Sequence, residues 1–132
     1  MKFSEMPYER PDIQDVKNQL VELTKRLKGA SDYAAAKDVF LEMEELSKHV
    51  ETQSTLAHIR HSIDTRDKFY DEEIKFWNGA MPELEEHFQT WNHTMLDSSF
   101  RPEFEKEYGN MMFLNTEMEL KTFSPEIIQE LQ

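Results

Sequence analysis

Cysteine is absent from all 132 residues. That excludes disulfides, thiolate metal ligands and a cysteine nucleophile, and it fits a reducing compartment. Glycine and proline are scarce, at 3 and 5 residues, and neither occurs between Ala30 and Asn78. A sheet protein needs turn residues far more often, so the chain is expected to be all helix. No apolar run approaches the ~18 residues of a membrane span, and the opening MKFSEMPYERPD has no apolar segment to serve as a signal peptide. No membrane partner is expected, and the expected location is cytoplasmic. Basic residues are also short: 15 Lys and Arg against 27 Asp and Glu give a formal net charge of -12. A surface of that sign repels phosphate backbones, which argues against nucleic acid as a partner.

What is present suffices for a core. Hydrophobic residues make up 38% and aromatics 11% of the chain, too much for a disordered polymer. After an extended arm with Pro7 and Pro11, Ile13, Val16, Leu20, Leu23 and Leu27 recur at helical steps and Gly29 follows as a stop. This predicts a first helix from Pro11 to Lys28. Ser31 is the expected N-cap of a second stripe, Ala36, Val39, Phe40, Met43, Leu46 and Val50, which continues through Leu56, Ile59 and Ile63 as one helix or two. From Thr65 to Leu96, the residues Phe69, Phe76, Trp77, Ala80, Leu84, Phe88, Trp91 and Met95 share one side of a helical wheel. Pro82 inside that stretch predicts a kink, because proline removes a hydrogen bond at a cost of roughly 3 kcal/mol.

A fourth helix is predicted from near Ser99 to Pro102. It carries Phe104, Tyr108, Met111, Leu114 and Met118 on one face, with Phe113 and Leu120 nearly opposite. The expected architecture is therefore an antiparallel helical bundle of about four helices, with an extended N-terminal arm over residues 1–10 and a helical domain over 11–123. At the end, Ser124, Pro125 and Glu126 form a helix start, yet only IIQELQ follows. Residues 124–132 are accordingly read as the start of a truncated helix leading to an absent catalytic domain.

Histidine and carboxylate spacing tests the metal chemistries. The five histidines, His49, His58, His61, His87 and His93, are followed by Val, Ile, Ser, Phe and Thr, so none begins a His-Glu-x-x-His motif. No glutamate stands three residues before any of them, which removes the di-iron bundle pattern. From Asp64 the third, fifth and sixth positions are Arg66, Lys68 and Phe69, which cannot form an EF-hand loop. The isolated glycines 29, 79 and 109 offer no phosphate loop or nucleophile elbow. No residue of this chain is assigned a catalytic role, a metal ion or a cofactor.

His58 and His61 remain, on the side of the second helix opposite Leu56, Ile59 and Ile63. A solvated polar face is the first reading; a weak metal-binding bundle using the two histidines is the sharper one. With Arg60 they form the candidate polar interface or channel face. Asp64 is expected to cap the long third helix with Asp67 at its third position, and Asp71 and Glu72 fall in its early turns. Glu73 instead falls inside the apolar stripe and is the candidate buried acid, with Arg60 or Arg66 as expected partners.

Three stretches, MKFSEMPYERPD, ETQSTLAHIRHSIDTRDKFYDEE and LKTFSPEIIQELQ, together resemble the N-terminal part of oligoendopeptidase F and its relatives, the thimet-oligopeptidase-like zinc metallopeptidases. The resemblance implies an N-terminal helical domain that helps wall the substrate channel of a zinc-dependent enzyme hydrolysing short peptides. It implies zinc in the full-length enzyme, bound by a His-Glu-x-x-His motif and a further glutamate that this chain lacks, so the chain alone is expected to be inactive. The implied partners are the missing catalytic domain of the same polypeptide and, in the intact enzyme, short peptides. Exposed apolar surface is then expected near Met112, Phe113 and Leu120. The alternative is a stand-alone helical protein-interaction module without enzymatic activity.

Overall fold

Side chains that recur alternately every three and four residues set the architecture. In the computed structural model, which describes residues 7–122, five helices follow in order: α1 Ile13–Lys28, α2 Tyr33–Ile63, α3 Lys68–Leu96, α4 Arg101–Tyr108 and α5 Met111–Thr122. No strand occurs among the described residues. α1 buries Val16, Leu20, Leu23 and Leu27; α2 buries Ala36, Val39, Met43, Val50 and Ala57; α3 buries Trp77, Ala80, Leu84, Trp91 and Met95. This is the spacing that lets side chains of nearly aligned helices interlock. Each of the three packs on both others. The joints 29–32 and 64–67 are short, so α2 runs against α1 and α3, which are parallel to each other. The segment before α1 therefore emerges beside the start of α3.

α2 is a single helix of 31 residues, about 46 Å long at ~1.5 Å per residue. α3 runs unbroken through Pro82. Two caps differ from expectation by a few residues. The side chain of Asp32, not Ser31, accepts from Ala35 N at 2.8 Å to start α2. Asp67, not Asp64, accepts from Phe69 N at 2.9 Å to start α3. Asp64 instead ends α2 and accepts from Arg66 N at 3.0 Å. In both joints two capping residue types stand close together, and spacing alone does not choose between them.

The expected fourth helix is two. Gly109 adopts φ 83°, which an L side chain rarely tolerates, and the chain turns there so that α5 packs against α3. That turn changes which faces are covered. Phe113 is buried and Met112 and Leu120 are half-buried, so the exposed surface expected around these three is not found; Met111, Leu114, Met118 and Tyr108 face outward instead. α4 is held on α2 by the fully buried Phe104, whose ring centroid lies 5.0 Å from Tyr33 and 5.4 Å from Phe40. Tyr33 and Lys37 both bond the Glu107 carboxylate beside it. Arg101 ties α4 to α5, bonding Glu105 at 2.9 Å and Glu117 at 2.7 Å with its guanidinium over the Phe113 ring.

Two further residues leave their expected stripe: Ile63 is 73% exposed and Phe69 56%. Both lie at the α2–α3 joint, beyond the first turn of α1, where the third helix of the bundle no longer covers them. Among the described residues no helix is long and apolar enough to cross a membrane. The helix start read at 124–132 lies outside the described residues.

Candidate functional site

The apolar seams of α2 and α3 are each interrupted by one polar residue. Gln53 stands three residues after Val50 and four before Ala57; Glu73 stands four before Trp77. Both are buried, at 7% and 3% exposure. A buried amide or carboxylate must find hydrogen-bond partners or cost several kcal/mol, of order 2–7 for a neutral polar group and more for a charge. Residues 8–10 of the arm supply them.

Glu9 N donates to Gln53 Oε1 at 2.7 Å. The Tyr8 hydroxyl donates to Glu73 Oε1 at 2.6 Å while accepting from Trp77 Nε1 at 3.1 Å. Arg10 closes the set: its Nε donates to Glu73 Oε1 at 3.1 Å, its Nη2 bonds Oε2, and its guanidinium lies 4.1 Å from the Phe76 ring centroid. The partners of Glu73 are thus Arg10 and Tyr8, not Arg60 or Arg66. Arg60 donates to the Tyr70 hydroxyl at 3.0 Å, and the exposed Arg66 side chain approaches Asp64 at 3.7 Å. Tyr70 and Phe69 pack edge-on against Tyr8, so the arm sits in an aromatic cradle.

The electrostatics follow from this geometry. The Arg10 hydrogen bonds hold the Glu73 carboxyl below its ordinary value of 4.5, against the opposing effect of burial. Burial and the bond to Glu73 push the Tyr8 phenol up to about 12. At neutral pH Glu73 is a carboxylate and Tyr8 a phenol. The cluster fastens the N-terminal arm to the bundle.

The polar face of α2 is arranged differently. His58 is exposed, and its Nδ1 lies 2.8 Å from Ser54 O. His61 Nε2 faces Asp71 Oδ1 across the joint at 3.6 Å. Arg60 reaches Tyr70, which joins this face to the arm cradle. Among the described residues no group of three histidine or carboxylate side chains could hold a metal ion, so the donor set does not fit a zinc centre.

Sequence reasoning placed Glu73 but missed Gln53, Tyr8 and Arg10. Gln53 was findable, because it falls on the same alternating step as its apolar neighbours. Tyr8 and Arg10 lie in a segment without periodicity and carry no such signal.

The arm is thus fastened to the helical bundle by buried polar groups. The chain belongs to the peptidase M3 N-terminal domain family, whose pattern matches residues 3–123. No curated protein matches it. Among solved structures it is similar to PZ peptidase A bound to an inhibitor, at 32% identity with a TM-score of 0.88 over 98% of this chain. It is also similar to an oligoendopeptidase F at 34% identity with a TM-score of 0.89 over 99% of this chain. A protein described as oligoendopeptidase F from Bacillus anthracis str. Ames gives 31%, 0.89 and 99%. The chain spans 23%, 23% and 24% of those three chains, respectively.

Proposed function

We propose that this chain acts as part of a longer, zinc-dependent oligoendopeptidase that hydrolyses short peptides, and that it helps wall the substrate channel without contributing a catalytic residue. The observation that carries this is the likeness over 98–99% of this chain at 31–34% identity to peptidases of which it spans about a quarter. On this reading residues 1–10 are the arm, 11–123 the supporting domain, and 124–132 lead toward a catalytic domain of the same polypeptide. Zinc would be held in that further part, since the described donors here do not fit it. The cytoplasm is the proposed location.

What this chain's own residues contribute is rigidity and a surface. Glu73 and Gln53 fix the arm, three long helices give a stiff wall, and His58, Arg60 and His61 are proposed as the polar face toward the channel or the catalytic domain. A direct test replaces the matching segment of the Bacillus anthracis oligoendopeptidase F with this chain and assays a short quenched-fluorescence peptide. The chimera should cleave it, and the 132-residue chain alone should not. Cleavage by the isolated chain, surviving controls for contaminating protease, would overturn the proposal.

A second reading has one observation in its favour. Phe104 and Phe113 are buried within the chain itself, so the bundle closes its own core, as a stand-alone interaction module would. That reading requires the gene to encode nothing beyond the helical domain.

A further inference from the structure

α5 is apolar on two sides. Phe113 is buried with Met112 and Leu120 half-buried beside it, yet Met111 is 63% exposed, Leu114 43% and Met118 67%. At about 100° per residue these last three fall within about 60° of one another on the helical wheel. Tyr108, also exposed, stands just before them across the Gly109 turn. The other exposed large apolar side chains among the described residues are Val21 and Leu41, which stand singly, and Ile63 and Phe69 at the α2–α3 joint. Scattered apolar residues on a surface need no explanation, whereas a helix that is apolar all round is normally covered all round.

Two observations bear on what covers it. The chain carries a formal net charge of -12, so a second copy would bring like charge against like. The chain also spans only 23–24% of the peptidases it is similar to, and α5 is the last of its described helices. A polypeptide that continues as theirs do leaves from the C-terminal end of α5. Its next part is therefore held near this face at high effective concentration. Methionine suits such a contact, because its unbranched side chain adapts to an irregular apolar partner.

We propose that the outward face of α5, centred on Met111 and Leu114, is the docking surface for the rest of the same polypeptide, which meets it with an apolar patch. This rests on the reading of the chain as part of a longer peptidase. It assigns the contact to a helix other than α2, which carries the polar face of His58, Arg60 and His61.

The test is hydrogen peroxide footprinting of methionine, read by mass spectrometry, in the 132-residue chain and in the chimera with the Bacillus anthracis oligoendopeptidase F. Met111 should oxidise about tenfold more slowly in the chimera than in the chain alone, while the buried Met43 and Met95 react slowly in both. Leu114→Asp should leave the helical circular dichroism and thermal midpoint of the chain alone unchanged, because the side chain is exposed there, and should lower the midpoint of the chimera. Equal Met111 oxidation in a chimera that cleaves its peptide would overturn the docking surface and leave the broader reading standing. A chimera that protects Met111 without cleaving would support the surface and count against that reading. Protection seen in the chain alone at high concentration and lost on dilution would give the face to a second copy and overturn the proposal.

Discussion

The Tyr8 hydroxyl donates to the Glu73 carboxylate at 2.6 Å across 65 residues of sequence. Together with Arg10, that bond turns a charge buried in the α3 seam into the anchor of the N-terminal arm. The arrangement is asymmetric: Glu73 is almost fully covered, whereas the Arg10 side chain is 48% exposed. Removing the covered partner frees the arginine to water, while removing the arginine strands a carboxylate.

Arg10→Ala should therefore cost about 2–3 kcal/mol and Glu73→Ala less, about 1–2 kcal/mol, both below the 3–5 kcal/mol of a fully buried pair because the arginine is half in solvent. The double variant should fall short of the sum by at least about 0.5 kcal/mol. Urea unfolding at neutral pH measures all three. Strict additivity would show that the two groups do not act as a pair.

The pH dependence has a fixed sign. Glu73 has its folded value depressed from 4.5, chiefly by the Arg10 hydrogen bonds. Its stabilisation is fully present above 4.5 and is lost as pH falls through the lower, folded value. Tyr8 is raised from 10.0 to about 12, so its contribution is present below 10.0 and is lost as pH rises through about 12. Unfolding free energies measured from neutral pH downward should decline less steeply below about 4.5 for Glu73→Gln than for wild type.

Gln53→Leu separates arm from core. Leucine restores the apolar step in α2 but removes the acceptor of Glu9 N. Global stability should change by no more than about 1 kcal/mol, the net worth of one hydrogen bond set against added apolar burial. Hydrogen exchange should then report lost protection at the Glu9 amide while the amides of Leu20 and Leu84 keep theirs.

The glycines should respond with opposite signs. Gly79 is exposed within α3 and a Cβ there would meet nothing within 4 Å, so Gly79→Ala should stabilise by about 0.5–1 kcal/mol. Gly109 also has open space around it, but its φ of 83° strains any L residue. Gly109→Ala should destabilise by about 1–2 kcal/mol. Thermal unfolding of the two variants gives the contrast.

The long helices were legible because their apolar residues repeat at steps that only a helix satisfies, and α1 and α3 carry that repeat almost unbroken. Glu73 was legible as an exception to it. The split at Gly109 was not, since an isolated glycine in a helical pattern reads equally as a tolerated residue or a turn until its φ is known. From that one turn came the error over Met112, Phe113 and Leu120. The arm's role was hidden for a different reason: the partners of Glu73 lie more than 60 residues away in a segment without periodicity, and wheel geometry finds neighbours only within a helix. Arg60 and Arg66 are nearer in sequence, which is why they were the expected partners.

If this bundle serves a larger peptidase, as proposed, the coding sequence beyond the codon for Gln132 should show an open frame that continues into a helical domain containing His-Glu-x-x-His. A stop codon immediately after Gln132 in the native gene would contradict it and leave the stand-alone interaction module in its place.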